Sequence, residues 1–549
     1  MATAASSAPA PTDLTRLAAA AASAPGDVQA RRALAVGLAR AGRPREALGE
    51  YRAVLALRPN DPDAAADAGL MARRCGLEEE VLPLLVAAAE ANPRHARLWQ
   101  VLGLVHRALD QLGPAVAALE RASALAPNEP LIAHGRARTT YEAGLPAVRL
   151  FERAIALAPA DLTLRLGLVA ALVSEGRWRD AAAGLESGLS AEPGWIAGHA
   201  ALARLLWEMG EGVRFMESIL RALAAQPANL ELWREAISLP MLAGRLGEAL
   251  EIIARGKKVH GDDPLFIANE AACRAELGKT AAADRLFARV EGLNDATVMV
   301  RLVRHLLRSG RPDEAGKRLE PWLSTPTAFM FWPYASLAWR LTGDPRWAWL
   351  EGDERLVGIY DLSTALPSLD ALADRLRTLH RSIGQPLEQS VRGGTQTDGI
   401  LLVRAEPEIV ALRAAIVEAV RTHVAQLPPA DAAHPQLGPP RAPIRFSGSW
   451  SVRLTGGGHH ANHIHPAGWF SSALYIALPD RDERGPEPAG WLILGEPQAE
   501  LMLDLPSVRL VEPKPGRLVL FPSTMWHGTR PFGAGERLTV AFDVAVPPS

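Results

Sequence analysis

LWQVLGLVHRALDQLGPAVAALERASALAPN, residues 98–128, carries two runs of apolar residues at helical spacing, parted by DQLG and closed by Pro127. A polar break between two such runs reads as helix, turn, helix. The phrase recurs along the chain. Prolines stand at 59, 93, 127, 159, 193 and 227, at intervals of 34, 34, 32, 34 and 34. Half a repeat out of phase stand Gly42, Gly76, Gly144, Gly176, Gly210, Gly244, Gly278 and Gly310, with Asp110 in the missing place. Glycine tolerates the left-handed turn that ends a helix and proline cannot continue one, so the two ladders punctuate paired helices. A period near 34 residues predicts a solenoid of stacked pairs.

The chain has 549 residues, 48% hydrophobic and 22% charged, which is enough for several domains with a large core. Lys plus Arg number 59 against 61 Asp plus Glu, so no overall charge draws it to nucleic acid or an anionic membrane. A protein or small-molecule partner is expected instead. Cys75 and Cys273 form neither a disulfide framework nor a thiolate cluster, and fit a reducing cytoplasm. No apolar run approaches the ~18 residues of a membrane span, and the first residues show no secretory pattern. Residues 1–12 are expected to be a disordered leader, 13–320 the repeat array, 321–345 a connecting segment and 346–549 a second domain.

In that second domain ERLVGIYDLS reads as a strand, and ALADRLRTLHRSIG and ALRAAIVEAVRTHVAQL as helices. Short runs of period two follow: RFSGSWSVRL, FSSALYIALP, GWLILG, GRLVLFP and RLTVAFDVAV. Turn residues separate them, as in an antiparallel sandwich or barrel. The Pro-rich stretch 427–443 reads as the loop entering this region, and RDERGPEP, 481–488, as a solvated hairpin loop.

GGGHHANHIHPAGW, residues 456–469, packs four histidines into seven positions. Alternate residues of a strand share a face, so His463 and His465 can project toward one ion, with His527 as a third ligand from downstream. His459 and His460 are alternative ligands. Arg537 and Thr539 share a face of a later strand, a cation and a hydroxyl suited to holding a carboxylate. Tyr475 either adds a hydroxyl there or belongs to the core. Trp469 and Trp526 flank the ligands and either wall a pocket or pack inside. Asn462, Arg392 and Gln396 are candidate substrate contacts.

Trp99, Leu102, Gly103, Ala115 and Pro127 within the 34-residue frame resemble the tetratricopeptide repeat family. The resemblance implies a superhelix whose concave face binds a peptide or protein. His527, Arg537 and Thr539 resemble the distal half of the site in 2-oxoglutarate- and Fe(II)-dependent oxygenases. SWSVRL, NHIHPAGWFSSALYIALP, PGRLVLFPSTMWHGT, ERLTVAFDV and QPLEQSVRGGTQTDG resemble oxygenases fused behind such repeats in bacteria. The implied fold is multidomain α + β: an N-terminal α-solenoid, then a double-stranded β-helix (jelly roll) with flanking helices. The implied cofactors are Fe(II), 2-oxoglutarate and O2, with metal on His463, His465 and His527, and 2-oxoglutarate on Arg537, Thr539 and Tyr475. One departure stands out: His465 occupies the place where the wider superfamily has Asp or Glu. The function implied is hydroxylation of a residue on a peptide or protein held by the repeats. A cupin-like metalloprotein independent of 2-oxoglutarate and a non-catalytic repeat scaffold remain as alternatives.

Overall fold

The computed structural model describes residues 11–382, 384, 387, 390–397 and 400–547. The first ten residues of the expected leader lie outside these, and the first helix, Pro11–Ser23, already contains residues 11 and 12. The chain forms two compact units, residues 1–175 with 403–406, and residues 176–402 with 407–549.

The punctuation read from the sequence is the punctuation observed. The helices Ala96–Ala108 and Leu112–Leu125 flank Asp110, whose φ of 55° is the left-handed turn its glycine counterparts make elsewhere, such as Gly76 at 69°. Asparagine and aspartate are the side chains that tolerate this conformation best after glycine. Helices ending at Leu57, Ala91, Leu125, Leu157, Ala191 and Ala225 each stop two residues before a proline of the ladder. The drift of the ladder at Pro264 has a local cause. Gly261 caps the preceding helix, and Pro264 starts the next, Pro264–Glu276, at its first turn, where a missing N–H costs nothing. Segment 321–345 is not a plain linker. It contains the helix Trp332–Thr342, which buries Tyr334, Leu337 and Trp339 against the last repeat helices.

Nine strands are present among the described residues: β1 (Gly358–Asp361), β2 (Val391–Gln396), β3 (Phe446–His460), β4 (Gly468–Ala477), β5 (Leu492–Leu494), β6 (Arg509–Val511), β7 (Arg517–Pro522), β8 (His527–Thr529) and β9 (Glu536–Ala545). They form two antiparallel sheets, ordered β1-β7-β4-β9-β3-β2 and β6-β5-β8. The large sheet is covered on both sides. One face, with Leu474, Leu518, Leu520, Leu538, Val540, Phe542 and Val544, packs on the helices Leu369–Leu379 and Pro407–Gln426. On the other face Tyr475, Val519 and Phe521 meet Leu492, Leu494 and Val511 of the small sheet. A helical repeat array followed by this two-sheet antiparallel domain agrees with the expected fold class, and the sheets are consistent with a jelly roll. The segment 481–488 is a short helix, Arg481–Arg484, followed by a turn. Among the described residues no helix is long and apolar enough to cross a membrane.

Phe542 is fully buried under the covering helices. Phe542→Ala is expected to cost about 3–5 kcal/mol, measured by denaturant unfolding. His423, buried beneath Phe470 with its Nδ1 3.1 Å from the Tyr360 hydroxyl, is held neutral by burial, its pKa lowered to about 4. The unfolded chain takes up this proton near pH 6.5, so the folded state loses stability as pH falls from 6.5 toward 4. By pH 5 the loss from this group is roughly 2 kcal/mol. Thermal midpoints of His423→Gln should fall less steeply over that interval than those of the wild type.

Candidate metal centre

The histidine pair does not lie in a strand. It sits in the connection between β3 and β4, where His463 forms an isolated antiparallel bridge with His527. His463 N donates to His527 O at 2.8 Å, and His527 N to His463 O at 3.0 Å. His465 N donates to Ser523 O at 3.1 Å. These bonds pin the connection to the β7–β8 turn. Gly528 permits the approach, since a Cβ there would stand 2.1 Å from Asn462 Oδ1.

The three rings converge. Their ligand atoms lie within 4.8 Å of one another, and the ring centroids are 4.3 Å apart for His463 and His527, 4.8 Å for His463 and His465, and 5.2 Å for His465 and His527. Each Nδ1 has an acceptor at 2.9 Å: Ala461 O for His463, Met525 O for His527 and Asp543 Oδ1 for His465. An acceptor there fixes the proton on Nδ1 and leaves the Nε2 lone pair for an ion. Burial first, and the neighbouring histidines next, push the His463 pKa down to about 3 and that of His527 well below its ordinary value. Both imidazoles are therefore neutral at physiological pH. Three imidazoles with open positions beside them suit a first-row divalent ion, Fe(II) included.

The site opens into a cavity of about 460 Å³. Arg537, Thr539 and Ala541, alternate residues of β9, line it from the large sheet, with Phe521 of β7 and Leu492 of β5 beside them. Arg537 is 2% exposed, and its guanidinium donates to Gly490 O at 3.2 Å and lies 5.0 Å over the Tyr475 ring. Among the described residues no carboxylate pairs with it. A buried cation without a counter-charge is costly, so this end of the cavity is suited to an anion. Burial lowers the Arg537 pKa from its very high ordinary value.

The remaining candidates divide. Arg392, Gln396 and Asn462 line the cavity, as does His460. Ser390 Oγ stands 3.2 Å from both His460 Nδ1 and His463 Nε2. His459 faces Arg392 across the β2–β3 pair and does not line the cavity. Tyr475 lies beneath Arg537 instead of on the cavity wall. Trp469 donates to Gln436 O at 2.8 Å inside the helix-covered core. Trp526 donates to Pro333 O at 3.0 Å and meets the Tyr334 ring edge-on at 5.8 Å. Neither tryptophan walls the cavity. The sequence reading missed Asp543, Ser471 and Ser390. The period-two face running from Arg537 through Thr539 and Ala541 leads to Asp543 and was the signal available.

Residues 448–543 match the family described as "Putative 2OG-Fe(II) oxygenase", and residues 147–205 match the tetratricopeptide repeat family. The chain thus carries a stretch similar to that oxygenase family behind a stretch similar to the repeat family. Similar solved structures include a tetratricopeptide repeat protein from Parabacteroides merdae, 14% identical, covering 44% of this chain and 95% of that one with a TM-score of 0.33. They also include TTC0263, a tetratricopeptide repeat protein of Thermus thermophilus, 23% identical over 33% of this chain and 100% of that one, with a TM-score of 0.27. No curated protein matches the chain.

Replacing His463 or His527 by Ala is expected to weaken divalent metal binding by more than the ~10–100-fold typical of losing an outer partner. Anaerobic equilibrium dialysis checks this. Wild-type uptake by the doubly substituted chain would place the metal elsewhere.

Proposed function

We propose that the chain is a 2-oxoglutarate-dependent Fe(II) oxygenase that hydroxylates a residue of a peptide or protein presented by its repeats. The observation that carries this reading is the buried Arg537 cation, paired with no carboxylate among the described residues, facing the same cavity as the three converging imidazoles. A metal ion and a dicarboxylate together answer both features. When bound, iron and 2-oxoglutarate supply the oxidising chemistry by activating O2.

The chain's own residues bind, orient and exclude water. His463, His465 and His527 hold the ion in one orientation because their Nδ1 protons are already engaged. Arg537 and Thr539 hold the far carboxylate of 2-oxoglutarate, and the Tyr475 ring keeps the guanidinium in place from below. Phe521, whose ring centroid is 4.7 Å from that of His527, and Leu492 close the apolar side against water. Arg392, Gln396 and Asn462 are left to meet the substrate. The macromolecular substrate rests on the tetratricopeptide repeats, a class that generally binds peptides or proteins.

Anaerobic addition of 2-oxoglutarate to the Fe(II)-loaded protein should produce a visible metal-to-ligand charge-transfer band. Arg537→Ala should require about 10–100 times more cosubstrate to reach half its amplitude, the worth of a charge-assisted pair. Bound iron with no band would exclude 2-oxoglutarate. Turnover of free amino acids as efficient as that of any peptide would sink the macromolecular substrate.

A further inference from the structure

Among the described residues the ligand set offers three imidazoles and no carboxylate, so a divalent ion held there keeps one more positive charge than beside two histidines and an acid. His465 differs from its two companions in its partner. His463 and His527 donate to backbone carbonyls, whereas His465 donates to the Asp543 carboxylate. This carboxylate is held in place. Ser471 Oγ donates to the same Asp543 Oδ1 at 2.6 Å and lies 3.0 Å from Ser523 Oγ, while the Ser523 carbonyl accepts the His465 backbone N–H. Acid, imidazole and both flanking turns therefore form one closed hydrogen-bonded ring. The Asp543 side chain is only 14% exposed, and among the described residues no Lys or Arg pairs with it. Its charge is directed at His465.

We propose that Asp543 supplies, through the His465 Nδ1–H···Oδ1 bond, the negative charge that the ligand set lacks, and is the positioning residue that lets a three-histidine site hold Fe(II). A carboxylate on the far nitrogen fixes the ring and makes its Nε2 a stronger donor. This places Asp543 and Arg537 on one face of β9, an anion toward the metal and a cation toward the cosubstrate. The inference rests on the oxygenase reading only for the identity of the ion.

The test is the Fe(II) affinity of the purified full chain, measured anaerobically by competition with a chromogenic chelator. Asp543→Asn keeps an oxygen to accept from Nδ1–H and removes the charge; it should bind Fe(II) about 10–100-fold more weakly. Asp543→Ala should lose at least as much, and adding His465→Asp to Asp543→Asn should recover affinity by moving a carboxylate into the ligand set. If Asp543→Asn binds like the wild type while Asp543→Ala does not, the contact only orients the ring and the proposal falls. It falls as well if His465→Ala keeps wild-type affinity while Asp543→Asn loses it, because Asp543 would then ligate directly. Should Asp543→Asn fail to fold, Ser471→Ala, which frees the carboxylate without removing it, is expected to weaken binding several-fold, and wild-type affinity there overturns the proposal. A wild type that binds no Fe(II) overturns both readings. One that binds Fe(II) without a charge-transfer band removes the oxygenase and leaves the Asp543 result to stand.

Discussion

The pleat of β9 is the constraint on which the candidate site depends. Leu538, Val540, Phe542 and Val544 are fully buried on one face, under the helices Leu369–Leu379 and Pro407–Gln426. The alternate residues Arg537, Thr539, Ala541 and Asp543 must then face the small sheet. β9 pairs with both β3 and β4, so its register is fixed from two sides. A slip of one residue would bury a charge among aliphatic side chains and remove Arg537 from the cavity and Asp543 from His465. The hydrophobic demand of one face thus sets the chemistry of the other.

Electrostatics completes the arrangement. Desolvation holds His463 and His527 neutral, and it leaves Arg537 buried with no acid paired to it among the described residues. In water either group would be unremarkable. Buried at opposite parts of one cavity, they are complementary to a cation and an anion. The aromatic rings of Phe521 and Trp450 flank the imidazoles, their centroids 4.7 Å and 5.4 Å from His527 and His465 respectively.

What the sequence disclosed followed from periodicity. The 34-residue ladder located the helix ends, down to Asp110 standing in for glycine, because backbone sterics allow few residues at such a turn. Alternation placed Arg537 and Thr539 on one face. His463 and His465 converge by another route than strand alternation: their convergence comes from the bridge to His527 and the bond to Ser523, and no strand runs through them. Adjacency misled at the tryptophans. Trp526 precedes His527 and points the other way in extended chain, into the core shared with Tyr334. Asp543 lay hidden because a ligand motif names only the groups that touch the ion, and its partner, 78 residues away, is brought close by strand register.

The wall of the cavity is also built from outside the β-domain's own sheets. Gln498 and Glu500 line it from the segment after β5, and the Glu500 carbonyl accepts from Arg308, in the repeat helix Ala296–Arg308, at 2.9 Å. Arg340, from the helix Trp332–Thr342, donates to the carbonyls of Gly495 and Pro506 at the two ends of the same segment. Three backbone carbonyls of an otherwise irregular stretch are thus satisfied by guanidinium groups of the helical region, and Trp526 and Leu501 seal the seam below with apolar contact. A segment without its own sheet partners takes its conformation from whatever satisfies its polar groups. One side of the cavity is therefore shaped by the end of the array, so the two sequence grammars meet at the site itself.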